Sequence, residues 1–179
     1  MAPPLGHTIR TQRLTLRPVG VADAEGFVRI QSNWNVVRML RMADYPPTLE
    51  SMTAWLATAP GEWAAGTAYR FALVHNEIVI GCADVDGIAD GWGYLGYWLD
   101  EANWGDGFAS EAATAVRDFA FSDLMLAGLQ SGHASDNPNS GRVLLKLGFT
   151  FVAQETRWSK PRQAEIAHIT YRLERPPQF

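Results

Sequence analysis

A glycine-rich loop that leads into a predicted helix is the clearest place for chemistry in this sequence. It contains Gly105 and Gly107, which let a backbone turn tightly and approach a ligand closely. The helix predicted to begin near Phe108 would direct free N–H groups and its positive dipole end at this loop. The pattern indicates an anion site suited to a pyrophosphate, with the Ser110 hydroxyl as a further donor. Taken alone, two glycines are also compatible with a purely structural turn.

Acidic and imidazole side chains on predicted strands are the candidates for a general base. Asp84 and Asp86 are two residues apart, so both side chains face the same side of one strand. They could accept a proton during catalysis, or they could form the solvated face of a sheet. His133 shares a predicted strand face with Ser131, and an imidazole suits a base near neutral pH. A histidine at such a position is also compatible with a hydrogen-bonded core residue, so both roles stay open.

The hydrophobic periodicity predicts the elements that would position these residues. Strands are predicted over residues 8–18, 69–74, 77–86, 93–100, 126–133, 149–158 and 165–173. Helices are predicted over residues 22–32, 48–58, 108–121 and 140–147, with Thr48 as the N-cap of the second. A hairpin turn is predicted at His75-Asn76, between the second and third strands. This order predicts an α+β fold, in which a mixed sheet flanked by helices contains a central βαβ unit.

The composition limits the classes of protein to which the chain can belong. Its 179 residues contain no linker and no repeat, which favours a single domain over residues 1–179. One cysteine, Cys82, excludes an internal disulfide framework and most cysteine-based metal sites. The sequence has no secretory signal and no apolar run of about 18 residues, so we expect a cytoplasmic protein with no membrane partner.

The charge is distributed unevenly along the chain, although the net charge is only −4. Residues 1–41 carry +4, residues 42–136 carry −12, and residues 137–179 carry +4. The acidic middle argues against a nucleic-acid partner, which normally requires a clustered basic face. It is compatible with a solvated surface, or with an acidic mouth that attracts a cationic substrate.

Three separated motifs, in this order, resemble the GNAT acetyltransferases in the form seen in the RimJ/RimL-type branch. The first is TQRLTLRP followed by DAE, at residues 11–18 and 23–25. The second is GYWL with WGDGFASEA, at residues 96–99 and 104–112. The third is NPNS with LKLGF, at residues 137–140 and 145–149. The resemblance covers residues 8–173 and implies a mostly antiparallel GNAT-like sheet in which two parallel strands splay apart around acetyl-CoA.

The resemblance implies an acyl-CoA N-acyltransferase with acetyl-CoA as co-substrate, no metal, and a primary amine as acceptor. That amine would belong to a small molecule or to a protein N-terminus, and a homodimer stays open. The acceptor side would be built from residues 34–45 and 158–162, and backbone N–H groups near residues 98–99 would stabilise the oxyanion. The residues implied to bind the co-substrate are Tyr97, Trp98, Leu99, Trp104, Gly105, Asp106, Gly107, Phe108, Ala109, Ser110, Asn137 and Ser140.

The resemblance gives less direct guidance on the catalytic residues. Many relatives protonate the thiolate with a tyrosine at the position of Leu144, which cannot serve, whereas Ser140 matches a serine of the branch. Ser140 is therefore the predicted thiolate partner, with an N-cap or first-turn serine as the structural alternative. Asp84 and His133 are the predicted bases, beside a base that acts through water. Asp106 departs from the family, which usually has Lys or Arg between the two glycines.

Two other classes of function compete with acetyl transfer. A dinucleotide-dependent oxidoreductase would require a third glycine where the sequence has Ser110. A non-catalytic acyl-CoA-binding or interaction module is favoured by Leu144 and Asp106. Stabilisation by NAD would support the oxidoreductase. Binding of acetyl-CoA without turnover of any amine would support the non-catalytic module.

Overall fold

One sheet organises the structure, a computed structural model that describes residues 3–177. Its eight strands are β1 Ile9–Arg10, β2 Thr15–Pro18, β3 Tyr69–His75, β4 Ile78–Ala89, β5 Trp92–Leu99, β6 Gly128–Ala134, β7 Thr150–Ser159 and β8 Ala164–Glu174. The α-helices are α1 Ala24–Gln31, α2 Trp34–Val37, α3 Leu49–Ala65, α4 Phe108–Ser122 and α5 Pro138–Lys146. Within residues 3–177, no helix has both the length and the apolar character that crossing a bilayer requires.

The strands lie in the spatial order β1-β2-β3-β4-β5-β6-β8-β7. Every neighbouring pair is antiparallel except β5 and β6, which are parallel and are connected through α4. Their pairing covers only residues 92–94 of β5 and 128–130 of β6. Just beyond it, Ser131 Oγ donates to the free Leu95 carbonyl at 2.8 Å, and the strands then separate. The predicted mixed sheet with splayed parallel strands is confirmed.

Helices cover both faces of the sheet, and each face has its own apolar core. We call the side of α4 and α5, where Leu95 is fully buried, the α4 face. We call the side of α1 and α3, where Phe27 packs with Cys82, the α1 face. Because side chains alternate along a strand, Tyr97 of β5 lies on the α4 face and Asp84 of β4 on the α1 face.

Two turns differ from the sequence prediction. The single strand predicted over residues 8–18 is a hairpin, because the chain reverses after Thr11, whose Oγ1 accepts from the Leu14 N–H at 3.0 Å. The turn between β3 and β4 is formed by Asn76 and Glu77, one residue later than predicted. Both have positive φ, at 48° and 66°, as a two-residue hairpin turn of the primed type requires.

The four predicted helices are all present in the predicted order, but one is longer than predicted and the structure adds a fifth, α2. Thr48 is the N-cap of α3, as predicted, and its Oγ1 accepts from the Ser51 N–H at 3.1 Å. α3 extends beyond the predicted residue 58 and ends at Gly66, which has a φ of +71°. The four-residue α2 was not predicted, because it is too short to show helical periodicity.

Candidate active site

A cleft of about 580 Å³ opens where β5 and β6 separate, beside the first turns of α4 and α5. It is lined by all of the predicted co-substrate residues except Asp106, namely Tyr97, Trp98, Leu99, Trp104, Gly105, Gly107, Phe108, Ala109, Ser110, Asn137 and Ser140. The predicted base His133 also lines the cleft, whereas Asp84 does not. The fold therefore brings the second and third sequence motifs together around one opening.

The loop before α4 has the conformation that an anion site requires. Gly105 and Gly107 have φ values of +89° and +83°, in the left-handed region that favours glycine. Gly107 is the N-cap of α4 and has no side chain to bond the first turn, so N–H groups there stay available for a ligand. From α5, Arg142 and Lys146 add two cationic side chains to the same cleft.

The acidic residues around this loop have partners on the N-terminal hairpin. Glu111, in the first turn of α4, accepts from Thr11 Oγ1 at 2.6 Å and pairs with Arg13 at 2.7 Å. Partial burial opposes the effect, but these hydrogen bonds hold the pKa of Glu111 below its usual value. Asp106 is exposed and does not line the cleft, and its carbonyl accepts from Arg13 Nη1 at 2.8 Å. Arg13 is not among the predicted site residues, although it lies in the first sequence motif.

The free edge of β5 presents backbone groups to the cleft. The Asp100 N–H donates to the Ile80 carbonyl, on the β4 side, at 2.8 Å. Successive peptide groups of a strand point to opposite sides, so the N–H groups of Leu99 and Tyr97 point towards β6, which does not pair with them. The backbone N–H group of Trp98 points towards β4 instead. Of the two residues expected to supply an oxyanion donor, Leu99 is therefore the one whose N–H faces the gap.

Ser140 and Tyr97 form a pair of hydroxyl groups in the cleft. Tyr97 Oη lies 2.9 Å from Ser140 Oγ and 3.0 Å from the Ser140 carbonyl oxygen. Burial raises the pKa of Tyr97, and the hydrogen bond with Ser140 only partly opposes this shift, so the phenol is neutral. Ser140 is not the N-cap of α5, because Asn137 has that role and its Oδ1 accepts from the Ser140 N–H at 3.4 Å. The sequence did not indicate that the Tyr97 side chain would reach Ser140.

Asp84 lies beside β5 on the α1 face. A Cβ atom at Gly96 would lie 2.5 Å from Asp84 Oδ1, so the carboxyl group occupies the space that glycine leaves open. Its side chain is 16% exposed, and its Oδ2 lies 3.6 Å from Arg70 Nε. Burial, followed by the charge of Asp86, raises the pKa of Asp84 to about 7, although Arg70 opposes the shift. Asp84 therefore does not belong to a solvated sheet face, which was the alternative that the sequence left open.

His133, the other predicted base, is buried and has contacts at both ring nitrogens. Its Nδ1 lies 2.8 Å from the Ala134 carbonyl oxygen, and its Nε2 lies 3.4 Å from Tyr171 Oη. The ring stacks on Tyr171, with centroids 5.6 Å apart. Of the two roles that the sequence left open for His133, this environment favours that of a hydrogen-bonded core residue over that of a base.

His168 of β8 is a second histidine near the gap, and it was not predicted. It is buried against Gly132 on the α1 face, and its Nδ1 has no hydrogen-bond partner within residues 3–177. Burial, followed by the charges of Arg157 and Arg41, lowers the pKa of His168 to about 4. The ring is therefore neutral at pH 7, and it does not line the cleft.

The segments predicted to build the acceptor side, residues 34–45 and 158–162, are connected through the loop before α5. Asp136 in that loop accepts from Arg38 at 2.9 Å and from Arg162 at 2.9 Å. Hydrogen bonding by Arg162 is the largest cause that lowers the pKa of Asp136. These ion pairs hold the two segments beside the co-substrate cleft.

Residues 13–150 match a family model described as an acetyltransferase (GNAT) domain. The probable N-acetyltransferase YjcK of Bacillus subtilis (strain 168) is 29% identical over 150 residues, covering 79% of this chain and 82% of that protein. The fold is similar to that of RimL, a ribosomal alpha-N-protein acetyltransferase in complex with coenzyme A, with a TM-score of 0.84, 18% identity, and coverage of 94% of this chain and 98% of that one. It is also similar to the microcin self-immunity acetyltransferase MccE in complex with acetyl-CoA and AMP, with a TM-score of 0.81, 16% identity, and coverage of 97% and 98%.

Proposed function

The chain belongs to the GNAT acetyltransferase family, and on this premise we propose that it transfers the acetyl group of acetyl-CoA directly to a primary amine. The observation that supports this proposal best is the cleft, which joins an anion-binding loop, an unpaired strand edge and a hydroxyl pair. The amine belongs to a small molecule or to a protein N-terminus. RimL is named for a ribosomal protein substrate, which supports the second of these two classes.

The groups in the cleft fit the chemical parts of acetyl-CoA. Phosphates match the free N–H groups that follow Gly107, together with the cations Arg142 and Lys146. The amides of a pantetheine arm match the backbone N–H and carbonyl groups of Tyr97, which point towards β6 and are not paired with it. The volume of about 580 Å³ lies in the usual range of small-molecule sites.

The acceptor amine must lose a proton as its nitrogen bonds to the thioester carbon, and we assign Asp84 as the base. Because β5 and β6 are splayed, the amine can approach from the α1 face, where Asp84 lies beside Gly96. A pKa of about 7 suits a base at neutral pH. His133 is the weaker candidate because both of its nitrogens are already engaged.

The thioester carbonyl and its sulfur need donors on the other side of β5. The Leu99 N–H faces the gap and stabilises the oxyanion that forms when nitrogen attacks. When the C–S bond breaks, the Ser140 hydroxyl donates to the sulfur. When the Tyr97 hydroxyl donates to Ser140 Oγ, 2.9 Å away, it orients the Ser140 hydroxyl.

Binding and turnover of the purified full chain test this proposal. CoA and acetyl-CoA are expected to raise the melting temperature, and NAD is not. Release of free thiol, followed with a chromogenic disulfide reagent, is expected with at least one class among amino acids, polyamines, aminoglycosides and peptide N-termini. Stabilisation by NAD alone would contradict acetyl transfer. CoA binding without turnover on any of these amines would instead favour a non-catalytic acyl-CoA-binding module.

A further inference from the structure

We propose that Arg13, on the N-terminal hairpin, is a positioning residue of the phosphate-binding loop and supplies the positive charge that the loop itself lacks. This inference rests on the proposed function, because it requires acetyl-CoA to bind in the cleft. It concerns a residue 93 positions away from the loop carbonyl that it bonds.

The loop needs such a partner because its own side chains are acidic. Asp106 lies between the two glycines, and Glu111 lies in the first turn of α4. Carboxylates there interact favourably with the helix dipole, but they repel the phosphates that the same N–H groups would bind. Neither Asp106 nor Glu111 lines the cleft, so the fold turns both side chains away from it.

Arg13 bridges the two ends of this loop with one guanidinium group. Its Nε donates to Glu111 Oε2 at 2.7 Å, and its Nη1 donates to the Asp106 carbonyl at 2.8 Å. The Arg13 backbone N–H adds a third bond, to Glu111 Oε1 at 2.8 Å. The guanidinium carbon lies 4.3 Å from the centre of the Phe108 ring. The side chain thus contacts both ends of the segment from residue 106 to residue 111.

The bond to the Asp106 carbonyl has a direct consequence for ligand binding. In a trans peptide, the C=O group and the following N–H group point in opposite directions. When Arg13 holds the Asp106 carbonyl on the outer side of the loop, the Gly107 N–H must point the other way, and Gly107 lines the cleft. Arg13 therefore fixes the orientation of a peptide group whose N–H faces the proposed phosphate position.

The charge of Arg13 acts in the same direction. Its guanidinium balances Glu111, and its Nη2 would lie only 3.5 Å from a Cβ atom built at Gly107. The side chain is 38% exposed, so solvent screens this charge, and the hydrogen bonds to the loop carry most of the effect. A lysine would keep this charge, but it could not reproduce the forked contacts with a carboxylate and a carbonyl.

The test compares substrates that do and do not carry phosphates. Arg13→Gln is expected to weaken CoA binding, measured by titration calorimetry, about tenfold, as for the loss of charge-assisted hydrogen bonds. Arg13→Lys should recover part of that loss. S-acetyl-pantetheine lacks the pyrophosphate, so kcat/KM with this substrate should stay within about twofold of the wild-type value, while the KM for acetyl-CoA rises and kcat is retained. Arg10→Gln, which removes an exposed charge from the same hairpin, is the matched control and should change neither.

The outcomes of these measurements separate a positioning role of Arg13 from a purely structural role. CoA affinity within twofold of wild type in Arg13→Gln would overturn the inference. An equal loss with acetyl-CoA and S-acetyl-pantetheine would also overturn it, because Arg13 would then only support the fold. If Arg13→Gln does not fold, Arg13→Lys decides by the same two measurements. A wild-type chain that does not bind CoA would refute the proposed function instead.

Discussion

Replacing Asp84 with asparagine tests both the electrostatics of the α1 face and the assignment of the base. The pKa of this carboxyl rises from 3.8 to about 7 on folding, because burial and Asp86 disfavour its ionised form. A raised folded-state pKa favours folding while the group is protonated, and this stabilisation is lost as the pH rises through about 7. At pH 5 the group is two pH units below that value, and each unit is worth about 1.36 kcal/mol.

We therefore expect the wild type to lose about 3 kcal/mol of unfolding free energy between pH 5 and pH 8 as Asp84 ionises beside Asp86. Urea unfolding followed by circular dichroism at the two pH values measures it. Asp84→Asn removes the titrating carboxyl group with little change of shape. From pH 5 to pH 8 the unfolding free energy of this variant should therefore fall by about 3 kcal/mol less than that of the wild type. Asp90→Asn, at an exposed turn beyond β4, is the control and should follow the wild type.

The activity of the same variant gives an independent readout. If Asp84 is the base, the wild-type kcat/KM rises with pH on a limb near pH 7, where the carboxyl ionises. Asp84→Asn should lose that limb together with most of kcat, and retain its affinity for CoA. Parallel pH–stability lines for wild type and variant would refute the electrostatic reasoning. An unchanged activity limb in Asp84→Asn would remove Asp84 from the mechanism.

Two further substitutions test the co-substrate side of the cleft. Tyr97→Phe removes the hydroxyl group 2.9 Å from Ser140 Oγ, and steady-state kinetics should show kcat about tenfold lower at a nearly unchanged KM for acetyl-CoA. A kcat equal to that of the wild type would exclude this hydroxyl from the reaction. Asp106→Lys replaces an exposed acid between the two glycines and should tighten CoA binding about two- to fivefold, as measured by titration calorimetry. The gain should disappear in about 0.5 M salt, and a gain that persists there would not be electrostatic.

Local patterns explain why the glycine loop and the start of α4 could be located from the sequence. The loop from Gly105 to Gly107 and the start of α4 depend on neighbours close in the chain, so glycine chemistry and helical periodicity are sufficient to locate them. The proposal of acetyl-CoA as the ligand came from the resemblance. Thr48 was correctly predicted as a cap for the same reason, since its bond to Ser51 spans only three residues.

Contacts between distant elements were not predictable in this way. Tyr97 and Ser140 are 43 residues apart, and the pair forms only because α5 packs on β6 and α4, which places its first turn within reach of the Tyr97 side chain. Arg13 and Glu111 are 98 residues apart, and their contact depends on a hairpin that the pattern of residues 8–18 does not reveal. The burial of Asp84 likewise follows from its register against Gly96.

The charge distribution acquires a physical meaning once these contacts are known. The acidic middle of the chain is ill suited to an anionic co-substrate, but arginines from the N-terminal segment pair with two of its acids near the cleft. Near the co-substrate loop, Arg13 pairs with Glu111 and Arg29 pairs with Asp100. Each of these two acids therefore has an arginine of its own.

The α1 face is different, because three carboxylates there share one guanidinium. Glu62, Asp84 and Asp86 all pair with Arg70, whose side chain is only 10% exposed. When all four groups are ionised, this cluster carries a net charge of −2, and it lies beside the position from which the amine would approach. The excess negative charge is thus concentrated on the side of the acceptor rather than on the side of the phosphates. A cationic amine would be attracted to that face, and Asp84 is the member of the cluster whose pKa of about 7 suits it to take the proton.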